Sequence, residues 1–221
     1  MIQSYSSMAT YEQCPQKYKF AYIDKIEMEK EPPSPAMERG LAVHKSIENY
    51  FNRSTEYLHP DIHANYGQFM FGIRESYPNI KSEFKWGITW EYEPCSYSDP
   101  RAMFHGFIDF LILPPPPTLL LYEWKTGKRY VKEHMSQTHL YSVAVLCHHP
   151  EYDSVDAFIT YLDEVDSHKV NYPRAMMFEY KPMLRRIAGN IADATLFPPM
   201  PSFKCQWCPY SRQKGGPCPV A

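Results

Sequence analysis

No stretch of the sequence approaches the ~20 consecutive apolar residues that a membrane-spanning helix requires. Its most apolar region, Phe107 to Tyr122, is cut by Asp109 and by Pro114 to Pro117, which excludes a transmembrane reading. The opening residues MIQSYSSMATYEQ lack the basic and apolar regions of a secretory leader, so a reducing, cytoplasmic setting is expected. Neither sign of charge is in excess: 23 Lys and Arg against 25 Asp and Glu leave a net charge of −2. A nucleic-acid partner would therefore be held by a local basic groove, because no global positive field attracts it. Glycine is scarce, nine residues against 21 prolines in a chain of 221. Proline at that level, without repeats and beside 15% aromatic residues, points to stiff connections between ordered elements and not to disorder.

What is present is enough for roughly one large domain with its own core. A short helix is expected to end near Cys14, where Pro15 interrupts, and a second helical piece follows. Beyond the stiff linker Glu31–Pro35, the segment from Ala36 to Arg53 steps Met37, Leu41, His44, Ile47 and Phe51 by three or four along one face, predicting a helix with His44 toward the core. A third helix is expected over Tyr66 to Tyr77, with Phe69, Met70 and Ile73 on one stripe. The period then changes. From Glu83 to Glu93 the residues Phe84, Trp86, Ile88, Trp90 and Tyr92 alternate with polar positions, as in a half-buried strand. Strands Phe104 to Leu113 and Leu119 to Lys125, joined by four prolines, should be antiparallel neighbours. A helix from His134 to His148, a strand from Val155 to Leu162 and a helix from Pro182 to Leu196 complete the pattern. The order predicts an α/β fold with a central mixed sheet flanked by helices. Residues 1–200 read as the main domain and 201–221 as a cysteine-rich tail belonging to it.

On the strand ending in Glu123-Trp-Lys125, the acid and the lysine lie two apart and share a face, while Asp109 intrudes into the apolar strand before it. If those strands pair across the proline loop, Asp109 and Glu123 converge. Two carboxylates together are costly unless a cation lies between them, and oxygen donors of this kind suit Mg²⁺ or Mn²⁺. Such a site supports metal-assisted hydrolysis of a phosphodiester, with Lys125 orienting the attacking water or stabilising the developing anion. An isolated Glu-x-Lys is a strand-end salt bridge as a rule, and Asp109 is what adds chemistry to it. Cationic Lys125, Lys128, Arg129 and Lys132, with Lys204, Arg212 and Lys214, interleave with Tyr130, Trp207 and Tyr210 as a channel for a single strand would. The tail holds Cys205, Cys208 and Cys218, with no histidine after His168, so a four-thiolate site must recruit Cys14, Cys95 or Cys147.

Taken in order, Gly40-Leu-Ala-Val-His44, Gly106-Phe-Ile-Asp109, Glu123-Trp-Lys125-Thr-Gly127 and Gln137-x-x-x-Tyr141 resemble the motifs of the PD-(D/E)XK nucleases. With the opening SSMATYEQCPQKYKFAYIDKI and the closing CQWCP, the resemblance is to the RecB-like branch that includes AddB nuclease domains and the iron–sulfur exonucleases of CRISPR adaptation. It implies a restriction-endonuclease-like core and a metal-dependent DNA exonuclease acting at DNA ends in recombination, repair or CRISPR adaptation. His44, Asp109, Glu123 and the backbone carbonyl of Trp124 would hold Mg²⁺ or Mn²⁺. Asp109, Glu123 and Lys125 would be catalytic, and Gln137 and Tyr141 would bind DNA phosphate or orient Lys125. The resemblance selects Cys14 to join Cys205, Cys208 and Cys218 around a 4Fe-4S cluster, with zinc on the same ligands as the alternative, so that the tail closes back on the N-terminal helix. It also implies a separate helicase, recombinase or integrase partner in a prokaryotic or phage-infected cell. A non-catalytic DNA-end or partner-binding module, or a structure-specific endonuclease, is the competing expectation on the same fold. Glu83 stands where related nucleases sometimes place another acid, but Glu91 or plain solvent exposure explains it equally, and both stay outside the expected set. Cys95 and Cys147 are expected to be buried small hydrophobes.

Overall fold

The computed structural model describes residues 1–28 and 32–220, so Glu31 of the proline linker and Ala221 of the tail lie outside it. The chain forms two compact units, one of Met1–Pro32 together with Met183–Ala221 and one of Pro33–Pro182.

In the first unit, α1 (Tyr5–Gln13) begins at a reciprocal cap in which the side chains of Ser4 and Ser7 each accept from the other's backbone N–H. It stops at Cys14 because Pro15 has no N–H to continue the ladder, and Pro15 opens α2 (Pro15–Tyr18), which runs into a wider π turn over Lys19–Ile23. The tail returns to this segment. Phe197 stacks on Tyr18 with ring centroids 6.4 Å apart, and Gln16 N–H donates to the Pro198 carbonyl at 3.3 Å.

The second unit carries α3 (Pro35–Phe51), α4 (Pro60–Ser76), β1 (Ile80–Thr89), β2 (Pro94–Cys95), β3 (Ala102–Ile112), β4 (Thr118–Lys125), α5 (Val131–His148), β5 (Ser154–Tyr161) and β6 (Asp166–Pro173), with α6 (Met177–Ala192) leading out of it. The strands form one sheet in the order β2-β1-β3-β4-β5-β6. Only β4 and β5 run parallel, α5 making the crossover, so the sheet is mixed and helix-flanked as expected. Val43, Ile47, Ile62 and Met70 from α3 and α4 pack against Phe110, Tyr122 and Trp124 of the sheet. Tyr141 of α5 meets Trp86 with centroids 5.8 Å apart. Burying side chains of this size contributes roughly 1.5–3 kcal/mol each.

Several details depart from the sequence expectations, each for a local reason. Met37 and Leu41 are 60% and 61% exposed, and α3 instead buries Val43, Ile47, Tyr50 and Phe51. A stripe stepping by three and four drifts around an axis that turns ~100° per residue, so Met37 and Leu41 have rotated off the buried arc and His44 lies at its margin. The first strand starts earlier, at Ile80, and ends at Thr89, whose hydroxyl accepts from the N–H groups of Glu91 and Glu93 and turns the chain back into β2. Trp90 and Tyr92 therefore belong to a turn. The strand β6 escapes prediction because Asp-Ser-His-Lys-Val-Asn-Tyr-Pro is a polar edge with little alternation to read. Pro182 lies inside α6 and does not start it, and that helix ends at Ala192.

Candidate functional site

The ladder between β3 and β4 runs only over Phe110↔Tyr122, Leu111↔Leu121 and Ile112↔Leu120. Just beyond it, the Trp124 N–H donates to Asp109 Oδ2 at 2.8 Å, a side chain taking the place of a carbonyl. Where the strands part, Asp109 and Glu123 occupy the opening. On the other side of β3, Glu83 falls between the pairs Ser82↔Phe110 and Phe84↔Ile108, which sets it opposite Asp109, with a left-handed φ of 50°. His44 arrives from α3, its Nδ1 3.7 Å from Asp109 Oδ1. Ligand atoms of His44, Glu83 and Asp109 all lie within 4.8 Å of one another.

Lys125 occupies the other flank. Its Nζ donates to Glu123 Oε1 at 2.8 Å and to Gln137 Oε1 at 2.9 Å, and the Gln137 amide donates onward to the Tyr141 hydroxyl at 2.8 Å. Gln137 and Tyr141 are thus one turn apart on α5 and reach the lysine through a single chain of hydrogen bonds. The approach of α3 depends on Gly40, where an added Cβ would stand 2.9 Å from Thr126 Oγ1. Beside it, Gly127 adopts a φ of 85°, and its N–H and the guanidinium of Arg39 both donate to Asp163. The loop after Lys125 is thereby bracketed against the helix that carries His44.

Burial pushes the Asp109 carboxyl up to about 7, although Lys125 and the Trp124 N–H oppose it. Burial also raises Glu123 to about 7, with the charge of Asp109 adding to the shift. The Glu83 carboxyl moves up and the His44 imidazole down, both chiefly through burial. Burial works against the Lys125 ammonium, but Glu123 and Asp109 outweigh it and leave its pKa raised. Glu123 is 3% exposed, and its Oε2 is buried without a hydrogen-bond partner. Glu123 falls outside the group of three within 4.8 Å, but its orphaned oxygen, close enough to feel the charge of Asp109, is what a divalent cation would satisfy, and the donor set fits Mg²⁺ or Mn²⁺. Sequence reasoning set Glu83 aside. The available signal was an acid in mid-strand, but its place beside Asp109 follows from register and backbone twist.

In the first unit, Cys14, Cys205, Cys208 and Cys218 line one cavity with Lys17 and Lys204, and all are free thiols. Backbone N–H groups of Met200 and Ser202 point at the sulfurs of Cys14 and Cys205, each at 3.4 Å. Sulfur donors and N–H groups directed at them suit a thiolate-bound cluster or zinc. The sulfurs are not drawn within 4.8 Å of one another as a set, a closeness reached among the described residues only by His44, Glu83 and Asp109. Cys95 and Cys147 are half-buried, outside that cavity. The expected aromatic channel loses a member: Tyr210 is buried against Phe20, while Tyr130 and Trp207 are exposed. Arg129 is engaged by Glu164 and Asp166.

The family model of the PD-(D/E)XK nuclease superfamily matches residues 3–213. The chain belongs to that superfamily. Its Asp109, Glu123 and Lys125 stand at the point where two strands of the superfamily's mixed sheet diverge. No curated protein sequence matches this PD-(D/E)XK chain. Among solved structures, one titled "Crystal structure of SSO0001" aligns at 14% identity over 99% of this chain and 86% of that one, with a TM-score of 0.47. No helix among the described residues is long and apolar enough to cross a membrane.

Proposed function

We propose that the protein is a Mg²⁺- or Mn²⁺-dependent DNA exonuclease of the RecB-like branch, hydrolysing phosphodiester bonds at DNA ends in recombination, repair or CRISPR adaptation. The observation that carries this is the convergence of His44, Glu83 and Asp109 within 4.8 Å, beside a Glu123 oxygen with no partner. Asp109, Glu123, His44 and the Trp124 carbonyl would hold the cation, and Glu83 would join them. A bound divalent cation supplies Lewis acidity there, lowering the pKa of water and offsetting phosphate charge. Lys125, fixed by Glu123 and Gln137, holds the attacking water in line and donates to the phosphoryl oxygen as its charge grows. Of the two roles expected for this pair, orienting Lys125 fits: Gln137 sets the lysine, and Tyr141, buried at 7% exposure, accepts from the Gln137 amide and holds it there.

The four tail-and-helix cysteines hold a structural 4Fe-4S cluster in this reading, which the shared cavity supports. Protein purified without oxygen should be brown and contain iron, and a colourless preparation with stoichiometric zinc would replace the cluster by zinc. For the activity, end-labelled linear DNA and a covalently closed circle are incubated with Mg²⁺ or Mn²⁺. The linear DNA should be degraded and the circle spared. Cleavage of the circle would turn the reading to an endonuclease, and binding without cleavage of either would turn it to a non-catalytic DNA-end module.

A further inference from the structure

Burial alternates along β3, with His105, Phe107 and Asp109 accessible and Gly106 and Ile108 buried between them. β3 is an interior strand, yet Phe107 leaves 38% of its surface in water. Its neighbours are arranged around it. Tyr97 packs on Phe107 with centroids 4.7 Å apart and stacks on His105 at 4.3 Å and 8°. The Tyr97 carbonyl lies 2.9 Å from His105 Nδ1, which holds the stack in place. On β1, Lys85 pairs across from Phe107 and sets its ammonium 5.5 Å from that ring. Lys85 is exposed and forms no ion pair with any described residue.

An exposed apolar patch alone does not name its occupant. Here the rings are already stacked, the adjacent cation lacks a counter-charge, and the strip continues the row that ends in Asp109. At roughly 3.4 Å per strand residue, Phe107 stands about 7 Å from Asp109, close to one step of an extended polynucleotide. A duplex keeps its base faces covered, whereas an unpaired strand offers both bases to stack and phosphates to pair. We propose that Phe107, Tyr97, His105 and Lys85 form a base-stacking track that holds single-stranded DNA while the adjoining phosphate enters the Asp109 site. This rests on the nuclease reading. Phe107 and Tyr97 receive the bases and Lys85 a phosphate; none of them takes part in bond cleavage.

Phe107→Leu keeps an apolar side chain and removes the stacking face, and Phe107→Trp keeps both. With Ca²⁺ in place of Mg²⁺, binding of a fluorescein-labelled 12-nucleotide strand and of a blunt duplex is measured by anisotropy. The Leu variant should bind the single strand about tenfold more weakly, with duplex affinity unchanged and the Trp variant close to the parent. With Mg²⁺, the same variant should raise KM for the single strand about tenfold and leave kcat within twofold. Equal single-strand affinity in parent and Leu variant, or equal loss for strand and duplex, overturns the track. Should the Leu variant fail to fold by circular dichroism, Lys85→Ala decides: its single-strand affinity should fall and lose about one unit of salt slope, and no change overturns the proposal. A parent that binds through Phe107 but cuts no DNA would sink the nuclease reading and leave the track standing.

Discussion

The two units of the chain are held by different means. In Pro33–Pro182, Trp86, Phe104, Phe110 and Trp124 are buried in a six-stranded sheet, and the polar groups of the site are set into a frame that apolar packing has already fixed. In the unit of Met1–Pro32 with Met183–Ala221, order comes from short helical turns and a few aromatic contacts, and four free cysteines line one cavity. By the chain-entropy account of cross-links, joining Cys14 to Cys205 closes a loop of 205 − 14 = 191 residues and removes roughly 5 kcal/mol of unfolded-state freedom. A cluster or zinc ion on those cysteines would there take over what burial does elsewhere, and mutations in the two units should then fail in different ways.

The sharpest separation is at Asp109. Asp109→Ala should lower cleavage of end-labelled DNA by roughly 10²–10³-fold or more with only a small change in melting temperature, because losing the partner of the Trp124 N–H is offset by removing a buried carboxyl. A parallel collapse of activity and melting would erase the distinction. Cys205→Ser should do the reverse, costing about 2–4 kcal/mol of cross-link stabilisation. Limited proteolysis should then cut within Met183–Ala221 and leave the sheet intact; resistance equal to the parent's would show that the unit needs no cross-link.

A smaller effect is expected at Gln137, which touches Lys125 but no metal donor. Gln137→Leu should reduce kcat about tenfold through a less well-aimed lysine, with KM for DNA within twofold. The last concerns pH. Asp109 and Glu123 titrate near 7 in the metal-free fold, against ordinary values of 3.8 and 4.5. Between about pH 4 and pH 7 the folded chain keeps protons that the unfolded chain has released, so these groups subtract stability as pH rises through that window and level off above it. Melting in EDTA should fall across this range, and Mg²⁺ or Mn²⁺, competing with those protons, should restore more stability at pH 8 than at pH 5. Identical metal-induced shifts at both pH values would remove the carboxylates from the binding site.

The main features of the second unit were readable because they are local. Alternation marks β1 and β3, the proline loop joins the β3–β4 hairpin, and Glu123 and Lys125 follow from strand spacing, whereas Gln137 and Tyr141 stand out only through the family resemblance. What escaped is set by partners distant in sequence. Glu83 gains its place through pairing with β3 and a left-handed backbone, β6 is an edge whose burial depends on β5, and the side of α3 that is covered depends on where the sheet ends. Met37 and Leu41 look like core from periodicity alone, which reports a stripe but not how far the neighbouring layer extends.

Glu83 also sets folding and function at odds. A non-glycine residue at φ 50° strains its backbone, and burial disfavours its charge. Both costs vanish in Glu83→Gly, so selection for heat resistance alone would drift toward glycine here and discard one of the three groups placed to hold a metal ion. A library screened first for stability and only afterwards for cleavage would lose this acid early, whereas one screened on cleavage should retain it against the gradient.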